Sequence, residues 1–187
     1  MEKQYDKPNA SLKLKIYGPH IENAALSAEM KVRPILQANW TPRTARKGRI
    51  IAIGINPSRA GERDNVSDST LTKLCKFLEM YGFDNLTFLN LFSCVSTKQT
   101  IDEASATDFE AQRELLESAD VIVIAWGADR HQYADQKRDA LKVLNDYREK
   151  TYCIQNKRGA YPIHPSRMGY ADSELVKFPF PEPSRKQ

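Results

Sequence analysis

The sequence predicts an α/β protein of three layers, with helices on both faces of a central, mainly parallel sheet of four strands. Four short apolar runs, each bounded by turn residues, are typical of strands that are buried on both faces of a sheet. Segments with helical spacing of apolar residues separate these runs, and this alternation favours a parallel sheet. The length of 187 residues suits one domain with a substantial core.

The first part of the chain is predicted to lead into the domain. We expect one domain over residues 20–180, with flexible tails at 1–19 and 181–187, because both ends are polar and the last residues are rich in proline and charge. Residues 24–37 predict a short helix or an irregular lead-in, since Pro34 interrupts the segment. A basic, polar loop then joins the lead-in to the first strong strand.

That first strand, Ile50–Ile55, consists of apolar and mostly β-branched residues and stops abruptly at Asn56, Pro57 and Ser58. Asn and Ser form turns through local hydrogen bonds, and proline fixes the backbone. In open α/β sheets, ligands bind beyond the carboxyl ends of the strands. The end of this strand therefore predicts the first wall of an active site.

The elements that follow are predicted from apolar spacing and from helix-end residues. A helix begins near Asp68, where Ser or Asp can cap it, and Leu71 starts an apolar face with i, i+3, i+4, i+7 spacing. Gly82 fits the left-handed position after that helix. The remaining elements are predicted in the order strand 86–92, helix 105–118, strand 121–127, helix 135–147 and strand 151–154.

Composition limits the classes of function without choosing among them. The net charge of +4 and the pI near 8.9 permit a nucleic-acid partner but do not require one. Three well-separated cysteines without CxxC spacing indicate reduced thiols rather than a metal site or a disulfide. No apolar run approaches the ~18 residues of a membrane span, and the N-terminus lacks an apolar signal core. We therefore expect a cytoplasmic protein without a membrane partner.

Polar or unusual residues stand at the ends of three strands and in one later loop: Asn56, Asn90, the Trp126-Gly127 corner and His164. Carboxyl ends of parallel strands share one edge of a sheet, so all four are expected to converge. Each also has a purely structural interpretation. Asn56 suits a turn, Asn90 suits a bond to a neighbouring loop, His164 suits the surface, and Trp126 suits the core.

Four common catalytic and nucleotide-binding motifs are absent from the sequence. The chain contains no GxSxG, no Walker lysine loop, no GxGxxG and no HExxH. Glu62, Asp64 and Asp68 follow the first strand end and could bind a metal or a water. Such acidic residues are more often a solvated loop, so no metal site is predicted.

Four motifs occur in order over residues 50–170: Gly54-Ile-Asn-Pro-Ser58, Phe88-Leu-Asn90, Val123-Ile-Ala-Trp-Gly127 and His164-Pro-Ser166. Together they resemble the uracil-DNA glycosylase superfamily. The first motif is most similar to the mismatch-specific uracil glycosylases, which carry Gly-Ile-Asn-Pro-Gly, and the last to the main uracil-DNA glycosylases. The chain also resembles a family of small bacterial and phage proteins described as a domain of unknown function, with Asn-Pro-Ser and Asn-Leu-Phe motifs.

The resemblance implies a uracil-DNA glycosylase-like fold and a role for each matching residue. Asn56 would position the hydrolytic water, Asn90 would bind the flipped base, and His164 would donate a hydrogen bond to the pyrimidine O2. Ser166 would contact a backbone phosphate, Arg167 would also bind the DNA, and Met168 would fill the vacated stack. The other residues implied to line the base pocket are Gly54, Ile55, Pro57, Ser58 and Trp126.

The implied protein is a monomeric, monofunctional DNA glycosylase that acts on double-stranded DNA and needs neither a metal nor an organic cofactor. Two departures from the efficient uracil enzymes affect the expected substrate. Asn56 stands where they carry Asp, and Ser58 stands where they carry a Tyr that excludes C5 substituents. We therefore expect a C5-substituted pyrimidine, such as glucosylated hydroxymethylcytosine of phage DNA, with uracil as the competing substrate.

Two other classes of function fit the same residues. A glycosylase-like protein with Asn56 in place of Asp could bind a modified or damaged base without cutting it. An enzyme acting on free nucleotides or nucleosides could use Asp64 and Asp68 to hold a metal. Roles in repair and in defence against phage with modified DNA are both compatible with the sequence.

Overall fold

The structure is a computed structural model that describes residues 20–23, 35–39, 48–57, 69–93, 105–128 and 131–180. The predicted α/β class is confirmed, since helices pack on a mixed sheet whose centre is parallel. The tails predicted at 1–19 and 181–187 lie outside the described residues. The strands are β1 His20–Asn23, β2 Ile35–Asn39, β3 Ile50–Gly54, β4 Asn85–Asn90, β5 Val121–Ile124, β6 Thr151–Asn156 and β7 Ser173–Lys177.

Within the described residues the sheet has seven strands, in the order β1-β2-β4-β3-β5-β6-β7. Its four central strands, β4, β3, β5 and β6, are parallel to one another, as their apolar runs predict. The prediction of four strands in total is wrong, because β1 and β2 extend one side and β7 extends the other, and each of these strands pairs antiparallel with its neighbours. These outer strands are short and lack the continuous apolar run of a strand that is buried on both faces.

Helices cover both faces of the sheet: α1 is Ser69–Met80, α2 is Arg113–Glu117 and α3 is Ala134–Leu144. Two apolar clusters fill the space between the layers. The first cluster joins α1 to the face of β3 that carries Ile50 and Ala52. The second joins α2 and α3 to the opposite face, which carries Ile51 and Ile53. None of the helices in the described ranges has the length and apolarity required to cross a bilayer.

The first helix, α1, follows the sequence prediction closely. Leu71, Leu74, Cys75 and Leu78 are buried, as their spacing predicts. Gly82 has φ of 82°, in the left-handed region that glycine adopts without a steric cost. The Phe83 N–H donates to the Leu78 carbonyl at 3.2 Å and the Gly82 N–H to the Glu79 carbonyl at 2.8 Å. This pair of bonds is a Schellman ending, which satisfies two of the last helical carbonyls.

Three segments differ from prediction. The helix predicted at 105–118 forms only over Arg113–Glu117. Before it, Ala106 pairs in an antiparallel bridge with Phe92, and the Thr107 N–H donates to the Leu91 carbonyl at 2.8 Å, so this stretch extends the backbone pairing beyond β4. Residues 35–37 of the predicted lead-in belong to β2, and residues 24–34 lie outside the described ranges.

The helix predicted at 135–147 also ends early. It continues after Leu144 as a 3₁₀ helix, Asn145–Lys150, within which Tyr147 departs from helical geometry at φ of −111°. The chain then enters β6 at Thr151, whose hydroxyl donates to the Tyr147 carbonyl at 2.9 Å. This hydrogen bond fixes the approach to the last central strand.

Candidate functional site

The four parallel strands end at one edge of the sheet, and this edge holds the candidate site. Gly54 at the end of β3 is the register partner of Asn90 at the end of β4. The backbone ladder continues past both ends, since the Leu91 N–H donates to the Gly54 carbonyl at 3.0 Å and the Phe92 N–H to the Ile55 carbonyl at 2.9 Å. The first two predicted site segments are therefore held together by backbone hydrogen bonds.

Gly54 leaves room that two side chains of β4 fill. A β-carbon on residue 54 would lie 2.4 Å from Cε1 of Phe88 and 2.6 Å from Oδ1 of Asn90. Phe88 and Asn90 are two residues apart on a strand, so both project from the same face as Gly54. A half-buried aromatic ring and an amide thus lie side by side over a strand end that has no side chain.

The Asn90 amide is the unusual polar group of this edge. The residue is only 4% exposed, and within the described residues its Oδ1 accepts no hydrogen bond. An amide oxygen that is buried without a partner costs stability, so such a group usually has an external reason to be retained. An oxygen acceptor of this kind matches the chemistry of a ligand that brings an N–H donor.

His164 is held on a turn that begins just after β6. It precedes a short 3₁₀ helix, Pro165–Arg167, and its Nδ1 accepts the Ser166 N–H at 3.3 Å. The Ser166 hydroxyl lies 2.8 Å from the same nitrogen. Because a backbone N–H can only donate, we assign the proton of the neutral imidazole to Nε2. The turn therefore sets both the orientation and the tautomer of His164.

The end of β5 lies directly against this histidine. Gly127 has φ of +92°, and a β-carbon there would lie 3.4 Å from Cβ of His164. The neighbouring Ala125 N–H donates to the Ile53 carbonyl at 2.9 Å, which ties the end of β5 to β3. Ends of β3, β4 and β5 and the turn after β6 thus share one edge, as predicted for Asn90, Gly127 and His164.

Helix α1 anchors the histidine turn from the other side. Lys73 Nζ donates to the Ser166 carbonyl at 3.0 Å. Pro165 is buried, and Met168 packs into the first apolar cluster together with α1. The turn that carries His164 is therefore fixed by one hydrogen bond and by apolar contacts on both sides of the exposed Ser166.

The structure describes residues 55–57 of the segment that follows β3. Asn56 is half-buried and its Nδ2 donates to the Pro57 carbonyl at 3.3 Å. Pro57 is buried, and Ile55 packs against the second apolar cluster. Ser58 lies outside the described residues. The roles expected of Asn56 in holding water and of Ser58 in leaving space stay predictions.

Two of the predicted contact residues are core residues instead. Met168 is 4% exposed in the first apolar cluster, and a side chain in the core cannot stand as a wedge in a DNA stack. Trp126 is 5% exposed in the second cluster, so its ring packs between sheet and helices and offers no open platform to a base. Ser166 and Arg167 are exposed, as a contact with a phosphate requires.

The sequence alone assigns no role in the site to Phe88 or Lys73. Phe88 belongs to the motif Phe88-Leu-Asn90, and its spacing of two from Asn90 puts both side chains on one strand face. Gly127 is predicted at this edge, but its contact with His164 depends on tertiary structure. The bond from Lys73 to the Ser166 carbonyl has no signal in the sequence, because the two residues lie far apart along the chain.

Among the described residues of this edge, neither thiol nor metal chemistry finds support. Cys75 and Cys153 are buried and form no disulfide within the described residues, and burial raises the pKa of Cys153 to about 12. A thiol that stays protonated at neutral pH is a poor nucleophile. The parts of the chain that the structure describes hold no group of three or more His, Cys, Asp or Glu side chains able to bind a metal. Glu62, Asp64 and Asp68 lie outside those parts.

Comparison with known proteins gives a family but no activity. Residues 33–166 match the model of a family that is described only as a protein of unknown function. No curated protein and no solved structure matches the chain. The matched range contains Gly54, Asn90, Gly127 and His164, so the family model spans the whole candidate site.

Proposed function

Starting from the fact that the chain belongs to the DUF1643 family, we propose that it is a DNA glycosylase with a uracil-DNA glycosylase-like fold. It flips a modified pyrimidine out of duplex DNA and hydrolyses the bond between base and sugar. One observation carries the proposal. A buried amide oxygen without a partner among the described residues, a strand end without a side chain and an imidazole of fixed orientation meet at one edge of a parallel sheet.

Asn90 and Phe88 supply base recognition in this proposal. The Asn90 oxygen is fixed over Gly54 and accepts no hydrogen bond within the described residues, so it suits the N–H donors on the pairing edge of a pyrimidine. The half-buried Phe88 ring beside it offers a π face for stacking, which is worth about 1–3 kcal/mol per base in other proteins. A base reaches these groups only after extrusion from the duplex, at a cost of a few kcal/mol.

His164 supplies electrostatic stabilisation of the leaving base. When the C1′–N1 bond breaks, its electron pair moves onto the base and negative charge develops at O2. The Nε2–H of His164 donates to that oxygen, and its aim is fixed beforehand by the contacts of Nδ1 with Ser166. Loss of one such donor in comparable oxyanion sites costs about 3 kcal/mol.

Asn56 supplies the position of the water. The water oxygen forms the new bond to C1′, one water proton passes to solvent or to the departing base, and the products are the free base and an abasic sugar. An amide orients water but cannot act as a carboxylate base. The reaction therefore depends on a good leaving group, which favours a base with an electron-withdrawing C5 substituent.

The substrate proposed is a C5-substituted pyrimidine, with glucosylated hydroxymethylcytosine as the leading case and uracil as the competitor. Ser58, by its small size, would leave space where related enzymes carry a ring. The protein would act as a monomer in the cytoplasm, without a cofactor, in defence against phage with modified DNA or in repair.

A cleavage assay tests the proposal. The full chain is incubated with duplex oligonucleotides that carry uracil, thymine or glucosylated hydroxymethylcytosine at one position, and abasic sites are revealed by alkaline strand scission. We expect product from at least one of the modified duplexes, and a loss of it on His164→Ala. His131→Ala, an exposed histidine outside the site, is the matched control. Absence of an abasic site in all three duplexes would reject the glycosylase.

A second candidate is a protein that binds a modified base without excising it. The observation in its favour is that the Asn56 amide donates to the adjacent Pro57 carbonyl at 3.3 Å, as a residue that only shapes a turn would do. This candidate predicts tight binding to one modified duplex without any abasic product, and unchanged binding on Asn56→Ala.

A further inference from the structure

A basic pocket opens beside the candidate site, between the end of β6 and the start of β7. Its volume is about 480 Å³, and three cationic side chains line it, Lys157, Arg158 and Arg167. Asn156, the last residue of β6, is the register partner of Ser173, the first residue of β7, and both also line the pocket. The pocket therefore lies at the same carboxyl end of the sheet as His164.

The balance of charge in this pocket favours an anion. Lys157 Nζ pairs with Asp172 at 2.8 Å, and both side chains are about two-thirds exposed, at 64% and 65%. Arg158 and Arg167 are exposed, and within the described residues neither guanidinium forms an ion pair. Three cations against one carboxylate leave an excess of positive charge. Two of the cations are arginines, whose planar guanidinium matches the oxygens of a phosphate.

The backbone that carries these cations is held rigidly. Asn156 Oδ1 accepts the N–H groups of Arg158 and Ala160, each at 3.0 Å. The Lys157 N–H donates to the Asp172 carbonyl at 2.9 Å, which ties the turn after β6 to the segment before β7. Because the turn is fixed before any ligand arrives, binding loses little of its free energy to ordering of the loop.

Ser173 provides a second, independent sign of a ligand. It is 3% exposed and lines the pocket, and its hydroxyl makes no hydrogen bond with any residue that the structure describes. A buried hydroxyl without a partner costs stability. A phosphate oxygen at the base of the pocket is a partner of the right chemistry, since a hydroxyl can donate to it.

We propose that this pocket binds a phosphate group, and that the group is a phosphodiester of the DNA strand whose base enters the candidate site. The assignment of the phosphate to DNA rests on the proposed function, whereas the assignment of a phosphate as the ligand rests on the pocket alone. Arg167 links the two sites, because it lines the pocket and closes the 3₁₀ turn that begins after His164. A phosphate held here would fix the position of the strand relative to the imidazole.

The test measures the salt dependence of DNA binding. Wild-type protein and the double variant Lys157→Gln/Arg158→Gln are titrated with a fluorescent 20-base-pair duplex between ~50 and ~200 mM salt, and log K is plotted against log salt concentration. Each phosphate contact contributes about 0.9 to the slope, so the double variant is expected to lose up to about 1.8.

A matched control removes the same charge elsewhere. Arg138 and Lys142 on α3 are exposed and ion-paired, to Asp135 at 2.6 Å and to Asp139 at 2.8 Å. The double variant Arg138→Gln/Lys142→Gln removes the same two positive charges from the protein. Its slope is expected to differ from the wild-type slope only by the small effect of the lower net charge. The single variant Arg158→Gln disturbs no ion pair that the structure describes. Its thermal unfolding and its salt slope are compared with those of Lys157→Gln/Arg158→Gln, so that a loss of structure in the double variant is detected.

The outcomes separate this inference from the proposed function. Equal slopes for the pocket variant and the α3 control would overturn the pocket as a site for a DNA phosphate, even if abasic product is still formed. A second arm follows inorganic phosphate by NMR chemical-shift perturbation. Phosphate binding that is lost in the pocket variant, without any DNA binding by the wild type, would support the pocket's phosphate chemistry and overturn its DNA source. Failure of both arms would overturn the inference completely.

Discussion

The side-chain oxygen of Asn90 lies 2.6 Å from the position that a β-carbon on residue 54 would occupy. The two residues are also backbone register partners at the ends of β3 and β4. The absence of a side chain at Gly54 is therefore what admits the amide to the strand end. In the proposed function Asn90 recognises the base, so recognition and packing would meet at this point, and substitutions here are expected to separate them.

Gly54→Ala is expected to lower both stability and activity. Contacts of 2.4 Å with Phe88 and 2.6 Å with Asn90 would force both side chains to move, and overpacking of this kind costs about 1–3 kcal/mol. Urea denaturation measures the stability and the cleavage assay measures activity. Gly48→Ala is the control, since its β-carbon would have no neighbour closer than 3.4 Å. Equal stability of the two variants would contradict the close packing at Gly54.

Asn90→Leu is expected to retain or raise stability while it abolishes ligand recognition. Leucine has the branched shape of asparagine without its polar atoms, and it removes an oxygen that is buried without a partner, whose cost is about 1–3 kcal/mol. The midpoint and slope of urea unfolding are compared with binding to the modified duplexes. A variant that is strongly destabilised would indicate that Asn90 serves the fold rather than a ligand.

Ser166→Ala is expected to slow the reaction roughly 10-fold with little change in substrate affinity. The substitution removes the hydroxyl that lies 2.8 Å from His164 Nδ1 and loosens the orientation of the ring, and a lost hydrogen bond of about 1.4 kcal/mol corresponds to that factor. His164→Ala is expected to cost about 10²–10³. Single-turnover rates separate chemistry from binding. If Ser166→Ala changed affinity and left the rate intact, Ser166 would be a DNA contact only.

Stability is expected to fall at alkaline pH because of Cys153. Burial raises the pKa of its thiol to about 12, whereas an unfolded thiol ionises near pH ~8.5. Between these values the unfolded chain binds fewer protons than the folded chain, so the free energy of unfolding decreases as pH rises through the window and is unaffected below it.

Urea unfolding of wild type and Cys153→Ala at several pH values from 7 to 11 tests this linkage. The variant carries a constant cavity penalty, but its stability should decline less steeply above pH ~8.5. Parallel curves for the two proteins over the whole range would show that another group, such as the buried Tyr81 whose pKa burial also raises, dominates the alkaline loss.

The sequence predicts the parallel centre of the sheet but not its antiparallel margins. Strands such as β3 and β5 are continuous apolar runs because both of their faces are covered. By contrast, β7 alternates between buried and exposed residues over five positions and begins with a serine, which is too short a pattern to distinguish from a loop. Margins of a sheet depend on partners that are distant in sequence.

In the candidate site, too, some residues can be placed from the sequence and others cannot. Asn90 and His164 could be predicted because polar residues at strand ends are unusual and the topology brings those ends together. Met168 and Trp126 could not be assigned, since an apolar side chain next to a functional motif fits both a ligand contact and the core. Only the packing of helices against each face decides that question, and here it buries both.

The pairing of Asn156 with Ser173 closes the base of the segment 157–172. Both ends of the segment are anchored in adjacent strands, and its middle is held on α1 through Met168 and the bond from Lys73 to the Ser166 carbonyl. The segment therefore carries His164 and the basic pocket as one unit. A substitution that shifts this unit on α1 is expected to affect both.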